Sequence, residues 1–232
     1  MLGRLALLTG ASLGLAGVPT LHAAEALYDF NETSGRIAKD ASGNGHHGRP
    51  YNVVRGKAGY TGQLGDYAYH FNGSSAVVRV PNAASLRPGE RDVDAVLHIK
   101  TSGCRQIAPS DCDLIKYGAS SDPSPAGLGH VVKMELLPDG TIDCGFSGTK
   151  GHYDLKGGPK VATNSWQEIV CRKTGTQIML LVDGIVRNSH SVTVGDINPV
   201  RDLFIGASGR DGNADWSYGT LDKVALIYTF PK

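Results

Sequence analysis

The sequence predicts an all-β fold, an antiparallel β-sandwich, and three observations carry that expectation. The stretch Trp166–Gly184 reads as two strands joined at Lys173-Thr174-Gly175, then a second turn at Asp183-Gly184. Asp-Gly supplies the positive φ angles of a two-residue hairpin. On the second strand Ile178, Leu180 and Val182 alternate with Met179 and Leu181, so both faces are apolar. Such a strand is expected to be buried on two sides, in the middle of a packed sheet. Finally, Gly (31) and Pro (11) recur so often that few runs could house a long helix. The longest mature run free of both, Lys160–Thr174, is split by Thr163-Asn164-Ser165 and ends in strand-like Ile169-Val170.

Residues 1–24 are set apart from the fold. Arg4 precedes an apolar run, Leu5–Val18, that Pro19 breaks and the small residues Ala23 and Ala24 follow. This is the pattern of a secretory signal peptide cleaved near Ala24, and the run is short for a membrane span. Residues 25–232 form the expected domain, with no second stretch apolar enough to insert in a membrane. Along it the strand-like segments are Ala76–Val80, Ala95–Ile99, Leu114-Ile115, Val131–Leu137, Ile142–Phe146, the Trp166–Gly184 pair, Leu203–Ile205 and Val224–Tyr228. Turn signals separate them at Asn72-Gly73, Pro138-Asp139-Gly140, Gly157-Gly158-Pro159 and Asp211-Gly212-Asn213. Many short strands between regular turns read as a sandwich or barrel. No repeat of fixed period and no low-complexity spacer divides the chain, so one domain is expected.

Lys and Arg number 23 against 22 Asp and Glu, and loss of Arg4 with the leader balances them. A neutral chain with scattered basic residues has no electrostatic footprint for nucleic acid or an anionic membrane. The four cysteines, Cys104, Cys112, Cys144 and Cys171, argue for disulfides in an exported protein and allow three connectivities. The favoured set is Cys104–Cys112, closing a short loop around Pro109-Ser110, with Cys144–Cys171, joining strands expected to be meander neighbours. Zinc is disfavoured, since no Cys-x-x-Cys or Cys-x-x-His pair exists.

Several stations in order resemble the laminin-G-like, concanavalin A-like jelly-roll family. They are Ala26–Phe30 with Asp40-Ala41-Ser42-Gly43-Asn44-Gly45 and His47-Gly48; Tyr69–Gly73 with Val78-Arg79-Val80-Pro81; Trp166–Gly184; Phe204-Ile205-Gly206; and Gly219–Val224. Lys133-Met134-Glu135, Asp139-Gly140, Cys144 and Cys171 are similar to an exported bacterial subgroup in which a cysteine pair staples two strands. Gln167 stands where many members have His. The resemblance implies a structural calcium (Ca2+) held by Asp222, with carbonyls from segments near Asp29 and Asn72. Asp40 and Asn44 are a second candidate set, against which stands the reading of that loop as an Asx turn.

The fold hosts binding and catalytic proteins alike, so function rests on the site. Glycan hydrolysis needs two carboxylates across the sugar, and the glucanase Glu-x-Asp-x-x-Glu run is absent. Asp92 and Asp94 share a strand face but sit at its polar beginning, and there is no Gly-x-Ser-x-Gly elbow. His46-His47 lacks a third metal ligand at defined spacing. For a ligand, exposed aromatics beside polar groups are sought, which points to Trp216 and Tyr218 with Asp211 and Asn213, and to Tyr153 beside His152 and Asp154. The opposing reading packs Trp216 and Tyr218 inward. The function expected is a secreted or cell-envelope binding or adhesion module, non-catalytic, for a carbohydrate or an extracellular protein. A glycan-active hydrolase or lyase with an unrecognised carboxylate pair, and a structural envelope protein, are the alternatives. Two carboxylates facing one another on the concave sheet would mark the enzyme.

Overall fold

The structure, a computed structural model, describes residues 24–104, 111–125, 127–210 and 214–230. Among these residues there is no helix, and none therefore long and apolar enough to cross a membrane. The strands are β1 (Ala24–Tyr28), β2 (Arg49–Tyr51), β3 (Val54–Ala58), β4 (Tyr67–Asn72), β5 (Val77–Val80), β6 (Asp92–Lys100), β7 (Cys112–Ala119) and β8 (His130–Leu136). They continue with β9 (Ile142–Ser147), β10 (His152–Gly157), β11 (Gln167–Lys173), β12 (Gln177–Val182), β13 (Ile185–Ser191), β14 (Leu203–Ile205) and β15 (Tyr218–Thr229).

These strands form two sheets. The first has the order β13-β12-β11-β6-β15-β4-β3, with β1 also paired to β15; the second has the order β10-β9-β8-β7-β14-β5-β2. Every pairing is antiparallel, so each sheet can bury one face and leave the other to water. Period-two alternation does this directly. On β6, Val93, Ala95, Leu97 and Ile99 are buried while Asp92, Asp94 and Lys100 point outward; on β8, Val132, Met134 and Leu136 face in while Lys133 and Glu135 face out. The chain alternates between hairpins within a sheet, such as β7–β8–β9–β10 and β11–β12–β13, and crossings from one sheet to the other, as in a jelly roll.

Two expectations need correction. Strand β12 is second from an edge, not central, and is apolar on two faces for a different reason. Ile178, Leu180 and Val182 enter the core, but Met179 and Leu181 stay half-exposed on the outer face. There Leu181 joins a cross-strand row with Val96, Val170 and Val186, the last 52% exposed. The disulfides pair as expected, Cys104–Cys112 and Cys144–Cys171. Yet Cys144 lies on β9 of the second sheet and Cys171 on β11 of the first, so this bond passes between the sheets rather than between ladder neighbours. Both cysteines sit at inward positions among Phe146, Ile169 and Leu180.

At the turn after β12, Asp183 (φ 52°) and Gly184 (φ 73°) are both left-handed, as a two-residue hairpin requires. The first described residue, Ala24, is already paired with Ile227 of β15.

Candidate functional site

Register across β7, β8, β9 and β10 assembles a grid of charge on the outer face of the second sheet. Asp113 of β7 stands opposite Glu135 of β8, Glu135 opposite Asp143 of β9, and Asp143 opposite Lys156 of β10. In the adjoining row are Lys116, Lys133, Gly145 and Asp154. Three carboxylates in direct cross-strand opposition repel one another, and a sheet selected for stability alone would avoid that. The lysines offset it. Lys133 Nζ lies 2.8 Å from Glu135, 3.5 Å from Asp143 and 3.3 Å from Asp154. Lys116 Nζ lies 3.7 Å from Asp113 and 3.6 Å from Glu135, and Lys156 Nζ 3.7 Å from Asp143.

Gly145 is what lets Lys133 reach across. A Cβ there would fall 2.1 Å from Lys133 Cε and 2.7 Å from Asp154 Oδ1, so any side chain would push the lysine off its carboxylates. Beneath this lysine stem Asp143 has no exposed surface, and Asp113 and Glu135 are nearly as buried, while His152, Lys156 and Asp154 border water. Burial lifts the Asp143 carboxyl to about 6, with the nearby Asp154 and Glu135 adding to the rise against Lys133 and Lys156. Burial likewise raises Asp113 well above the ordinary carboxylate range. For Lys133 burial works the other way, but its hydrogen bond to Glu135 and the charges around it hold the ammonium above its ordinary value. Asp143 Oδ1 is buried with neither a hydrogen bond nor an ion pair, while the buried Asp113 Oδ1 and Asp154 Oδ1 make no hydrogen bond but face Lys116 Nζ at 3.7 Å and Lys133 Nζ at 3.3 Å. Oxygens in that condition accept hydrogen bonds readily, because leaving them unmet is costly.

The ligand residues expected from sequence do not come together. Trp216 is buried, but apart from the main core: with Val77, Ala207 and Ala214 it packs against Tyr51 and Phe204 in a small apolar cluster on the outer side of β5 and β14, where Val78, Val80, Leu203 and Ile205 face the core. A ring of that size lowers its free energy more by burial than by waiting for a ligand. Tyr218 begins β15 in the other sheet, edge-on to His70 at 5.4 Å. Tyr153 is stacked on His190 at 3.9 Å where β10 meets β13. Asp211 and Asn213 lie outside the described residues. Of the Asp92 and Asp94 pair, Asp94 is held by both donors of Arg172 at 2.7 and 2.6 Å, an ion-paired carboxylate rather than a free acid.

The residues expected at calcium are also committed elsewhere. Buried Asp222 accepts the Tyr60 and Lys223 amides at 2.8 and 2.7 Å, and the Lys223 ammonium stands 3.7 Å from both Asp29 and Asp66. Asn72, opposite Tyr218, takes the amides of Ser74, Ser75 and Ala76. Asp40 accepts the amides of Leu27, Ser42 and His46, which makes its loop an Asx turn, and Asn44 donates to the carbonyl of Glu25. Calcium needs roughly six to eight oxygens. At Asp222, Asn72 and Asp40 the side-chain oxygens accept backbone amides, and beside Asp222 the Lys223 ammonium already supplies a cation to Asp29 and Asp66, so these side chains do not fit calcium. Neither histidine of the pair is poised for a metal: His47 Nδ1 accepts the Asp40 amide, and buried His46 faces Glu25.

The fold is an antiparallel sandwich of the laminin-G-like, concanavalin A-like jelly-roll type. Residues 116–229 match the family model described as the concanavalin A-like lectin/glucanases superfamily. Among solved structures, the binding domain of Paraclostridial Mosquitocidal Protein 1 is similar (TM-score 0.65, 14% identity), covering 89% of this chain and 49% of that one. This chain therefore spans about half the length of that relative. Domain 4 of AbnA, an extracellular arabinanase of Geobacillus stearothermophilus solved with arabinotriose, is similar at TM-score 0.60 and 18% identity, covering 91% of this chain and 95% of that one. Domains LG4-5 of the mouse laminin alpha1 chain follow at TM-score 0.52 and 14% identity, over 71% and 42%. At such identities the likeness shows the fold. No curated protein sequence matches the chain.

Proposed function

We propose that this protein is a secreted, non-catalytic carbohydrate-binding module whose ligand lies on the charged grid of the second sheet. One observation carries the reading: buried carboxylate oxygens that make no hydrogen bond, Asp143 Oδ1 foremost, on a face whose rim of Asp154, Lys156 and His152 borders water. Sugar hydroxyls are donors to such carboxylates and acceptors from such lysines. A precedent on the same architecture is the arabinanase domain, nearly all of which the present chain covers.

Glu135 and Asp143 face one another, which is the arrangement that would mark a glycan hydrolase. Against catalysis stands Lys133, whose ammonium is 2.8 Å from one carboxylate and 3.5 Å from the other. It fills the space where a glycosidic oxygen would have to enter between acid and nucleophile.

The test is a printed glycan array that includes arabino-oligosaccharides, followed by calorimetry with the trisaccharide giving the strongest signal. Asp154→Asn and Glu135→Gln should each weaken binding about tenfold, the loss of one charge-assisted hydrogen bond. Silence across the array, or full affinity in both folded variants, overturns the reading.

A further inference from the structure

Trp166 opens the most informative stretch of the sequence, yet it belongs to neither apolar cluster of the fold. It lies two residues before Glu168, so its side chain leaves the chain on the outer side of the first sheet. There it meets Tyr60, which is 42% exposed, with ring centroids 6.3 Å apart and planes at 84°. Tyr60 in turn lies 3.8 Å from the ring of His98. His98 is only 7% exposed, its Nδ1 has no partner, and its Nε2 is 3.6 Å from the half-exposed carboxylate of Glu168.

We propose that this corner, formed by Trp166, Tyr60, His98 and Glu168, is a second carbohydrate subsite on the face opposite the charged grid; the inference rests on the carbohydrate-binding reading above. Two perpendicular aromatic rings offer an apolar surface for the C–H face of a sugar. Glu168 and the unpartnered imidazole nitrogen supply the polar contacts for its hydroxyls.

The corner is built before any ligand arrives. The Tyr60 amide is fixed to Asp222 at 2.8 Å, Gly59 and Asp66 close the loop that carries it, and Thr61 ties that loop to the Asp66 carboxylate. Glu168, His98 and Asp222 are in register across β11, β6 and β15, and the Glu168 amide is held by Asp183. Preorganisation of this kind reduces the entropy lost on binding. Burial, then the neighbouring Lys223, lowers the His98 pKa and keeps the ring neutral near pH 7. Charges of both signs surround it, with Lys223 opposed by Asp183 and Asp66, so a neutral polyol fits better than an ion. Sites on opposite faces would make one chain bivalent, able to bridge two glycan strands.

The chain has two tryptophans, Trp166 and the buried Trp216, which gives a direct readout. In Trp216→Phe the remaining emission belongs to Trp166, and titration with the array-selected trisaccharide should shift it saturably. Calorimetry on the otherwise intact protein should give a stoichiometry near two, falling to about one in Tyr60→Ala and in the milder Trp166→Phe. Beads coated with the same glycan should agglutinate with the wild type and not with these variants. A wild-type stoichiometry of one with silent Trp166 emission overturns the second subsite while leaving the first. Absence of binding to any glycan overturns both.

Discussion

Asp143 is a carboxylate that the fold would sooner hold neutral. It has no exposed surface, and burial dominates its environment, outweighing Lys133 and Lys156. The folded chain therefore binds this proton more tightly than the unfolded chain does. Linkage then requires stability to fall as pH rises from about 4, the unfolded value, through about 6 in the folded state, and to be flat above that. Asp143→Asn removes the buried charge and still leaves Lys133 its contacts with Glu135 and Asp154. Urea denaturation should find the variant more stable than wild type by about 2 kcal/mol at pH 8, with that gain gone at pH 4. A gain of equal size at both pH values would refute the assignment. A residue that weakens the fold at neutral pH is worth keeping only if it does something else, which is why this carboxylate points to binding.

Elements were legible in proportion to how much apolar surface they bury. The turns and inner strands could be read because Asp-Gly or alternating aliphatics dictate them locally. Strands β2, β3 and β13 could not. In β13, Ile185-Val186-Arg187-Asn188-Ser189-His190-Ser191 is exposed at all but one position, and in β3 Gly56 sits at an irregular pairing with β4. Edge strands of this kind are held by ladder hydrogen bonds to a partner, and nothing in their side-chain pattern announces it. The β12–β13 hairpin gives a clean test of what the turn contributes. A Cβ on Gly184 would meet nothing within 4 Å, so Gly184→Ala changes only the backbone preference at φ 73°. It should cost about 1 kcal/mol, and Gly184→Asn less, since Asn tolerates the left-handed region. Equal stability of Gly and Ala variants in chemical denaturation would show that the turn is not held in this conformation.

At the scale of the molecule, the site was illegible because it depends on pairing distant strands. Lys133 with Glu135, and Asp143 with Gly145, each look like ordinary outward positions on a strand. Only the registers of β7, β8, β9 and β10 turn them into opposed carboxylates bridged by a lysine. The Cys144–Cys171 bond illustrates the same point. Its partners could be named from cysteine number and order, but the reason for pairing them was incorrect, because sequence neighbours in a jelly roll often lie on facing sheets. The correction changes what the bond does. It closes a separation of 27 residues and ties the two layers through the core, whereas Cys104–Cys112 spans 8 residues at the margin. Loop entropy alone gives about 3.5 kcal/mol for the first and about 2.5 kcal/mol for the second. Replacing the buried pair by alanine also leaves unfilled volume among Phe146, Ile169 and Leu180, adding roughly 1 kcal/mol. Cys144→Ala with Cys171→Ala should therefore lower the denaturation midpoint well beyond Cys104→Ala with Cys112→Ala. If the two double variants were equally stable, the inter-sheet bond would contribute no more than a local loop staple.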